Sequence, residues 1–165
     1  ASGAQITGLD ISHPMLVQAA KKTRAYSFSG VAGDMASLPF PDESFDKVFS
    51  MTAIEFTAEA DKAVAELNRV ARRGGTVVLT SLNSKSPWAA RRIKEGESGH
   101  TLFQNIIFRS PVELAALVPG GKATVKTAIH FLKSEDPVNV PEIERNGRLK
   151  GKDTGAFVAL SWRRQ

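Results

Sequence analysis

Two carboxylates, Asp10 and Asp34, each follow a short apolar run that predicts a β-strand. After Asp10 the chain turns directly into a predicted helix with Pro14 in its first turn, where a missing N–H costs nothing. In open parallel sheets ligands bind at the carboxyl ends of strands, and an acidic side chain there can accept both hydroxyls of a nucleoside ribose. We therefore hypothesise that Asp10 binds a ribose. The alternative is structural, because Asp followed by Ser before a helix is also a common capping signal.

The elements that must position these acids alternate between strands and helices. The pattern predicts strands over 5–10, 28–33, 46–52 and 76–82, with a Pro-rich ordered loop over 35–45. Residues 57–73 form the clearest amphipathic helix, with Thr57 as N-cap and Gly74-Gly75 as its stop, while Glu66 and Arg69 lie off the apolar face. The run over 76–82 lacks alternation, which is typical of a central strand covered on both faces. Strands separated by such helices predict a mostly parallel sheet with helices on both faces.

The sequence of the second half predicts a different arrangement of helices and strands. Helices begin at Ser86-Pro87 and at Ser110-Pro111-Val112-Glu113, a capping box with Pro at the first helical position. Two strands follow, over 123–132 and 156–162, with no helix predicted between them. The connection, which holds Pro137, Pro141 and Gly147, is expected to be a loop or insertion. The two strands are therefore expected to form an antiparallel hairpin at the sheet edge.

Composition limits the function classes. The 165 residues, 42% hydrophobic and 24% charged, predict a single domain over 1–165 with a real core. The absence of Cys excludes disulfides and thiolate zinc sites. No apolar run reaches the roughly 18–20 residues of a membrane span, so we expect a soluble cytoplasmic protein. The net charge of +5 would suit nucleic acid, but the basic residues are spread out, which argues against such a partner.

Several short motifs follow one another in an order that matches a known family. They are Gly8-Leu9-Asp10-Ile11-Ser12 with Met15-Leu16, Gly33-Asp34-Met35 with Leu38-Pro39-Phe40, Phe45-Asp46-Lys47-Val48, and Leu67-Asn68-Arg69-Val70 running into Gly74-Gly75-Thr76. With these motifs the chain resembles the class I S-adenosylmethionine-dependent methyltransferases, and within them the methyltransferase type 11-like enzymes that act on small molecules and quinone precursors. The resemblance covers residues 5–82 and implies an α/β, Rossmann-like fold.

The resemblance implies S-adenosylmethionine as the cofactor and a role for six residues. Asp10 would accept the ribose hydroxyls, Ile11 would pack on the adenine, Asp34 would accept the adenine amino group, the Met35 N–H would meet the ring, and Ser50 and Met51 would border the sulfonium. An acceptor matches an exocyclic donor, and apolar walls suit a purine face. For Asp34 the structural alternative is a turn carboxylate before Met35.

One piece of the family pattern is missing. A Gly-rich turn after the first strand normally lies about 20 residues ahead of the ribose-binding acid, and only nine residues precede Asp10. We expect an N-terminally truncated domain that lacks the first strand, the central one in the family order 3-2-1-4-5-7-6; loss of the cofactor loop is the alternative. The absence of this first strand should leave either an unpaired gap or a pairing between the two strands that would flank it. Such a fragment is expected to be poorly stable and to bind cofactor weakly.

For the complete protein we expect transfer of the sulfonium methyl to a small-molecule acceptor. The cofactor is already activated, so the protein mainly supplies positioning and a dry pocket, and no catalytic residue is assigned. Candidates for facing the acceptor are Glu55, Phe56, Trp88, Arg92 and His100. The structural alternative is that Phe56 and Trp88 are core residues, Arg92 is solvated and His100 is a loop residue. The acceptor pocket is expected from residues 83–109 and 133–154. Two other classes stay open: a nicotinamide-dependent oxidoreductase, and a non-catalytic RNA- or partner-binding protein on the same scaffold.

Overall fold

The computed structural model describes residues 3–23 and 27–165. Its strands are β1 (Ile6–Asp10), β2 (Phe28–Ala32), β3 (Phe45–Met51), β4 (Ala71–Leu82), β5 (Thr124–Ala128) and β6 (Phe157–Arg163). Its α-helices are α1 (His13–Lys22), α2 (Ala60–Val70), α3 (Pro87–Glu97), α4 (Pro111–Ala116) and α5 (Val140–Leu149), and short 3₁₀ helices cover Ile54–Phe56 and Pro119–Gly121.

The described strands form two sheets. Strands β1 and β2 make a parallel pair, and the other four have the order β3-β4-β6-β5. Strand β4 is parallel to β3 and antiparallel to β6, and β6 is antiparallel to β5, which makes the predicted edge hairpin. Strands β1 and β3 do not pair with each other. Of the two outcomes expected at this position, the structure shows the gap and not the re-pairing.

The core lies where α2 packs against the four-stranded sheet. The apolar face of α2 buries Val64 and Leu67 against a cluster that includes Val77 and Leu79 of β4 and Leu160 of β6. Val77 and Leu79 on one face of β4 are fully buried and Thr80 on the other face is 4% exposed, which agrees with the prediction of a central strand covered on both faces. The predicted α/β class is therefore confirmed.

The predicted helix over 57–73 is wrong at both ends. Helix α2 begins at Ala60, and Thr57 instead accepts the Glu59 N–H through its hydroxyl at 3.0 Å in the preceding turn. At the other end the backbone becomes extended at Ala71, where β4 starts beside Phe45. The Arg72 guanidinium donates to the Glu43 carbonyl at 3.1 Å and to Asp46, so tertiary contacts outweigh local helix propensity.

The second correction concerns the connection before β6. Residues 133–155 were expected to be a loop or insertion, but they contain α5, with Pro141 in its first turn. Proline at that position is compatible with a helix start, so the residue that argued for a loop is also a helix signal. The strand expected over 123–132 ends at Ala128, because Ile129 takes a φ of +65° and leaves the extended conformation.

Both predicted helix starts in the second half are confirmed. The Ser86 hydroxyl accepts the Trp88 N–H at 3.1 Å, and Ser110 with Glu113 forms the reciprocal capping box at 3.3 and 2.7 Å. Within residues 3–23 and 27–165, no helix is both long and apolar enough to cross a membrane. In that same part of the chain, no group of three His, Asp or Glu side chains could hold a metal ion.

Candidate functional site

A groove of about 250 Å³ runs between β1 and β3. It brings together four of the six residues predicted to bind the cofactor, which come from three separate segments: Asp10, Met35, Ser50 and Met51. Asp10 ends β1, while Ser50 and Met51 end β3. The groove therefore includes the carboxyl ends of both strands, where ligands bind in α/β sheets.

One carboxylate oxygen of Asp10 accepts a hydrogen bond from the backbone. Its Oδ1 accepts the Ser12 N–H at 2.8 Å just before α1, as the structural alternative requires. Ser12 is the N-cap residue of α1 but makes no side-chain cap bond itself. Within the described chain no residue donates to Asp10 Oδ2. The half-buried carboxylate can thus serve the turn with one oxygen and a ligand hydroxyl with the other.

Asp34 and Ile11 do not line the groove. Asp34 is exposed, and its Oδ1 accepts the Ala36 N–H at 2.8 Å, the contact expected of a turn carboxylate. Ile11 is 80% exposed. Their adenine-binding roles stay predictions.

The carboxyl end of β3 contains a buried polar atom that needs a partner. Ser50 is only 8% exposed and lines the groove, and its hydroxyl has no partner among the described residues. Buried hydroxyls in folded proteins are nearly always hydrogen-bonded, so this one fits a site for a ligand with polar groups. The neighbouring Met51 is 59% exposed on the open edge of β3 and supplies an apolar wall.

An ion pair on α2 holds the loop that carries Met35. Glu66 accepts the Leu38 N–H at 2.7 Å, and Arg69 donates to the Leu38 carbonyl at 3.1 Å and to the Phe40 carbonyl at 2.8 Å. The hydrogen bond from Arg69 lowers the pKa of the Glu66 carboxyl, which keeps it ionised. Sequence reasoning missed this role and placed both residues only off the apolar face. Their three-residue spacing was the available signal.

Comparisons with known proteins agree with this geometry. Residues 1–79, just under half of the chain, match the model of a methyltransferase domain family. A solved S-adenosylmethionine-dependent methyltransferase of Thermotoga maritima superposes with a TM-score of 0.73 over 98% of this chain and 73% of that one, at 22% identity. The chain has the class I methyltransferase fold.

Two curated relatives resemble the first half of this methyltransferase-fold chain. The malonyl-[acyl-carrier protein] O-methyltransferase of Pseudescherichia vulneris is 40% identical over 85 residues, 52% of this chain and 33% of that protein. The phosphatidylethanolamine N-methyltransferase of Cereibacter sphaeroides is 37% identical over 91 residues, 52% of this chain and 45% of that protein. The chain therefore spans between a third and a half of the length of these relatives.

Glu55, one of the residues expected to face the acceptor, is enclosed. It is fully buried, and its Oε1 accepts the Leu82 N–H at 3.1 Å, which ties the end of β3 to the end of β4. Its Oε2 is buried without a partner among the described residues. Burial raises the pKa of Glu55 above the ordinary value, although the hydrogen bonds it accepts oppose this. The Glu55 carboxyl therefore has no exposed surface, and its Oε1 links the 3₁₀ helix over Ile54–Phe56 to Leu82. The neighbouring Phe56 is 55% exposed.

Three other acceptor-side candidates form an aromatic cluster away from the groove. The Trp88 indole N–H donates to the Phe131 carbonyl at 2.8 Å. The Arg92 guanidinium lies 5.9 Å from the Trp88 ring centre and 6.0 Å from that of Phe103, and His100 stacks on Phe103 at 4.4 Å. These residues follow β4 in the chain, but none of them lines the groove.

Proposed function

We propose that the complete protein is an S-adenosylmethionine-dependent methyltransferase and that the cofactor binds at the end of the groove where Asp10, Ser50 and Met51 lie. The observation that carries the proposal is the groove lining: Asp10, Met35, Ser50 and Met51 meet in one place although they lie far apart in the sequence. Both the methyltransferase fold and the match over residues 1–79 support it.

The residues present fit such a cofactor chemically. Asp10 offers an acceptor to ribose hydroxyls, Ser50 offers a buried hydroxyl near the methionine end, and Met35 and Met51 offer apolar walls. When bound, the cofactor supplies an activated methyl group. The protein then has to orient the acceptor in line with it and exclude water.

We further propose that residues 3–165 alone bind the cofactor weakly. The groove volume of about 250 Å³ lies below the roughly 300–1,000 Å³ typical of small-molecule sites. Its two walls belong to sheets that share no strand pairing, so no backbone ladder sets their separation. Paired strands lie about 4.8 Å apart, and one strand with a Gly-rich turn between β1 and β3 would join the sheets and complete the site.

The acceptor is a small molecule that the relatives do not identify. The names of the two curated relatives give different acceptors. One is a malonyl group bound to acyl-carrier protein, and the other is a phospholipid. We propose that the acceptor lies against residues 83–109 and 133–154, because these connections leave the carboxyl ends of β4 and β5.

Calorimetric titration of the complete protein with S-adenosylhomocysteine tests the proposal. Asp10→Asn keeps an Oδ1 acceptor for the Ser12 N–H but removes the charge. Hydrogen bonds to charged groups contribute about 1.5–3 kcal/mol against about 0.5–1.5 for neutral ones, a difference of about 1–1.5 kcal/mol, so affinity should fall roughly 5- to 13-fold.

Asp136→Asn is the matched control. Asp136 accepts the Val138 N–H at 2.9 Å in the same kind of turn but is exposed and outside the groove, so this change should leave the affinity unaltered. Equal affinities for wild type and Asp10→Asn would contradict the role of Asp10. Binding of NAD⁺ in place of S-adenosylhomocysteine would favour an oxidoreductase.

A further inference from the structure

Inside the connection between β5 and β6, residues 129–155, the segment that follows β5 is paired with α5. The His130 side chain is 1% exposed, and its Nδ1 lies 3.2 Å from Glu144 Oε2 on α5. The same carboxylate oxygen accepts the His130 backbone N–H at 2.8 Å. Glu144 therefore binds both the main chain and the ring of one residue.

The surroundings allow His130 little freedom. Its Nε2 lies 3.1 Å from the Thr127 hydroxyl and 3.3 Å from the Lys152 carbonyl. A Cβ added at Gly147 would lie 2.3 Å from His130 Cγ, so α5 comes this close only because position 147 has no side chain.

The backbone before His130 is strained, and the hydrogen bond from the His130 N–H to Glu144 holds it in place. Ile129 has a φ of +65°, a conformation that costs a β-branched residue about 1–3 kcal/mol and persists where surrounding contacts enforce it. Burial raises the pKa of Glu144, but the hydrogen bonds from His130 and the charge of Arg148 outweigh this and lower it. Glu144 is thus an ionised acceptor that holds the strained turn.

This turn also holds α3. Phe131, the residue after His130, provides the carbonyl that accepts the Trp88 indole N–H at 2.8 Å. At the far end of the connection, the fully buried Asn83 donates to the Asp153 and Gly155 carbonyls at 2.7 and 2.8 Å. The connection therefore binds the segment after β4 at both of its ends.

We propose that the His130–Glu144 pair is a positioning device that fixes the Phe131 carbonyl and thereby orients Trp88 and α3 as one wall of the acceptor site. The connection from Glu144 to Trp88 is argued from the contacts described above. The statement that Trp88 and α3 form a wall of the acceptor site rests on the proposed function. The guanidinium groups of Arg91 and Arg92 lie 5.6 and 5.9 Å from the centre of the Trp88 ring. Orienting the indole therefore also orients two cations.

The two tryptophans make the proposal testable by NMR. The Trp88 indole N–H bonds to the Phe131 carbonyl, and that of Trp162 bonds to Asn68 Oδ1 at 3.1 Å, so each gives a signal that reports one contact. In the 165-residue chain, Glu144→Ala should shift the Trp88 signal and speed its hydrogen exchange at least about tenfold. The Trp162 signal should stay in place. Glu144→Gln retains an oxygen that accepts the His130 N–H and should restore the Trp88 signal.

Asn68→Ala is the reciprocal control and should move only the Trp162 signal. The proposal is overturned if Glu144→Ala leaves the shift and exchange of the Trp88 indole unchanged. It is also overturned if both indole signals move together and Glu144→Gln restores neither, because the pair then only stabilises the whole fold. Titration of the complete protein with S-adenosylhomocysteine separates the two proposals, since a failure to bind removes the proposed function and leaves the Trp88 result intact.

Discussion

Replacing Arg69 by Ala should release the loop that forms one side of the groove. The guanidinium makes five hydrogen bonds: two to Glu66, and one each to Asp42, the Leu38 carbonyl and the Phe40 carbonyl. Leu38 and Phe40 line the groove together with Met35. The change therefore tests whether this loop is docked by α2 or holds its place through its own packing.

The expected loss can be worked out from these contacts. The Arg69 side chain is 30% exposed, so we count each carbonyl contact at about 1 kcal/mol, below the 1.5–3 kcal/mol of a well-buried charged bond. The ion pairs with Glu66 and Asp42 add about 1 kcal/mol together, as is usual for partly exposed pairs. The total is about 3 kcal/mol. With a urea m-value of about 2 kcal/mol/M, the midpoint should fall by about 1.5 M.

Urea unfolding followed by tryptophan fluorescence measures this loss, since Trp162 bonds to Asn68 of α2. Arg72→Ala is the control, because its guanidinium makes two contacts from a side chain that is 54% exposed, and it should cost less than about 1 kcal/mol. If Arg69→Ala costs no more than Arg72→Ala, the loop is not held by α2 and the reasoning is refuted.

Two further changes test the core and the buried acid. Leu79→Ala should lower the free energy of unfolding by about 2–5 kcal/mol, measured in urea, because it empties a fully buried site. Leu102→Ala, at a residue 55% exposed, should lower it far less. Similar losses for the two changes would contradict the assigned core. For Glu55 the folded-state pKa is raised, so the folded chain binds more protons and stability should fall as pH rises from about 4.3, the ordinary Glu value, through that raised pKa. Glu55→Gln should lack this fall, and parallel stability curves between pH 4 and 8 would show that Glu55 does not titrate abnormally.

Periodicity and short-range signals predicted most elements correctly. The strand over 76–82 was predicted from its β-branched run and is present. The start of α3 at Ser86 and the capping box at Ser110 depend on contacts within a few residues, and both are present. The errors occur where distant groups decide. Helix α2 stops at Val70 because Ala71 pairs with Phe45, and the strand before Ile129 stops where His130 meets Glu144.

For the candidate site, a local pattern, an acid at a strand end, pointed to Asp10, whereas Met35, Ser50 and Met51 were implied only by the resemblance to the methyltransferase family. Only the tertiary structure decided that these four share a groove, and that Asp34 and Ile11 stand outside it. It also revealed that Arg69 holds the loop over residues 38–42 and that His130 meets Glu144, since these contacts join groups at least 14 residues apart. The physical reason is range: capping and periodicity act within a turn or two of chain, whereas burial, ion pairing and groove shape depend on residues that meet only after folding.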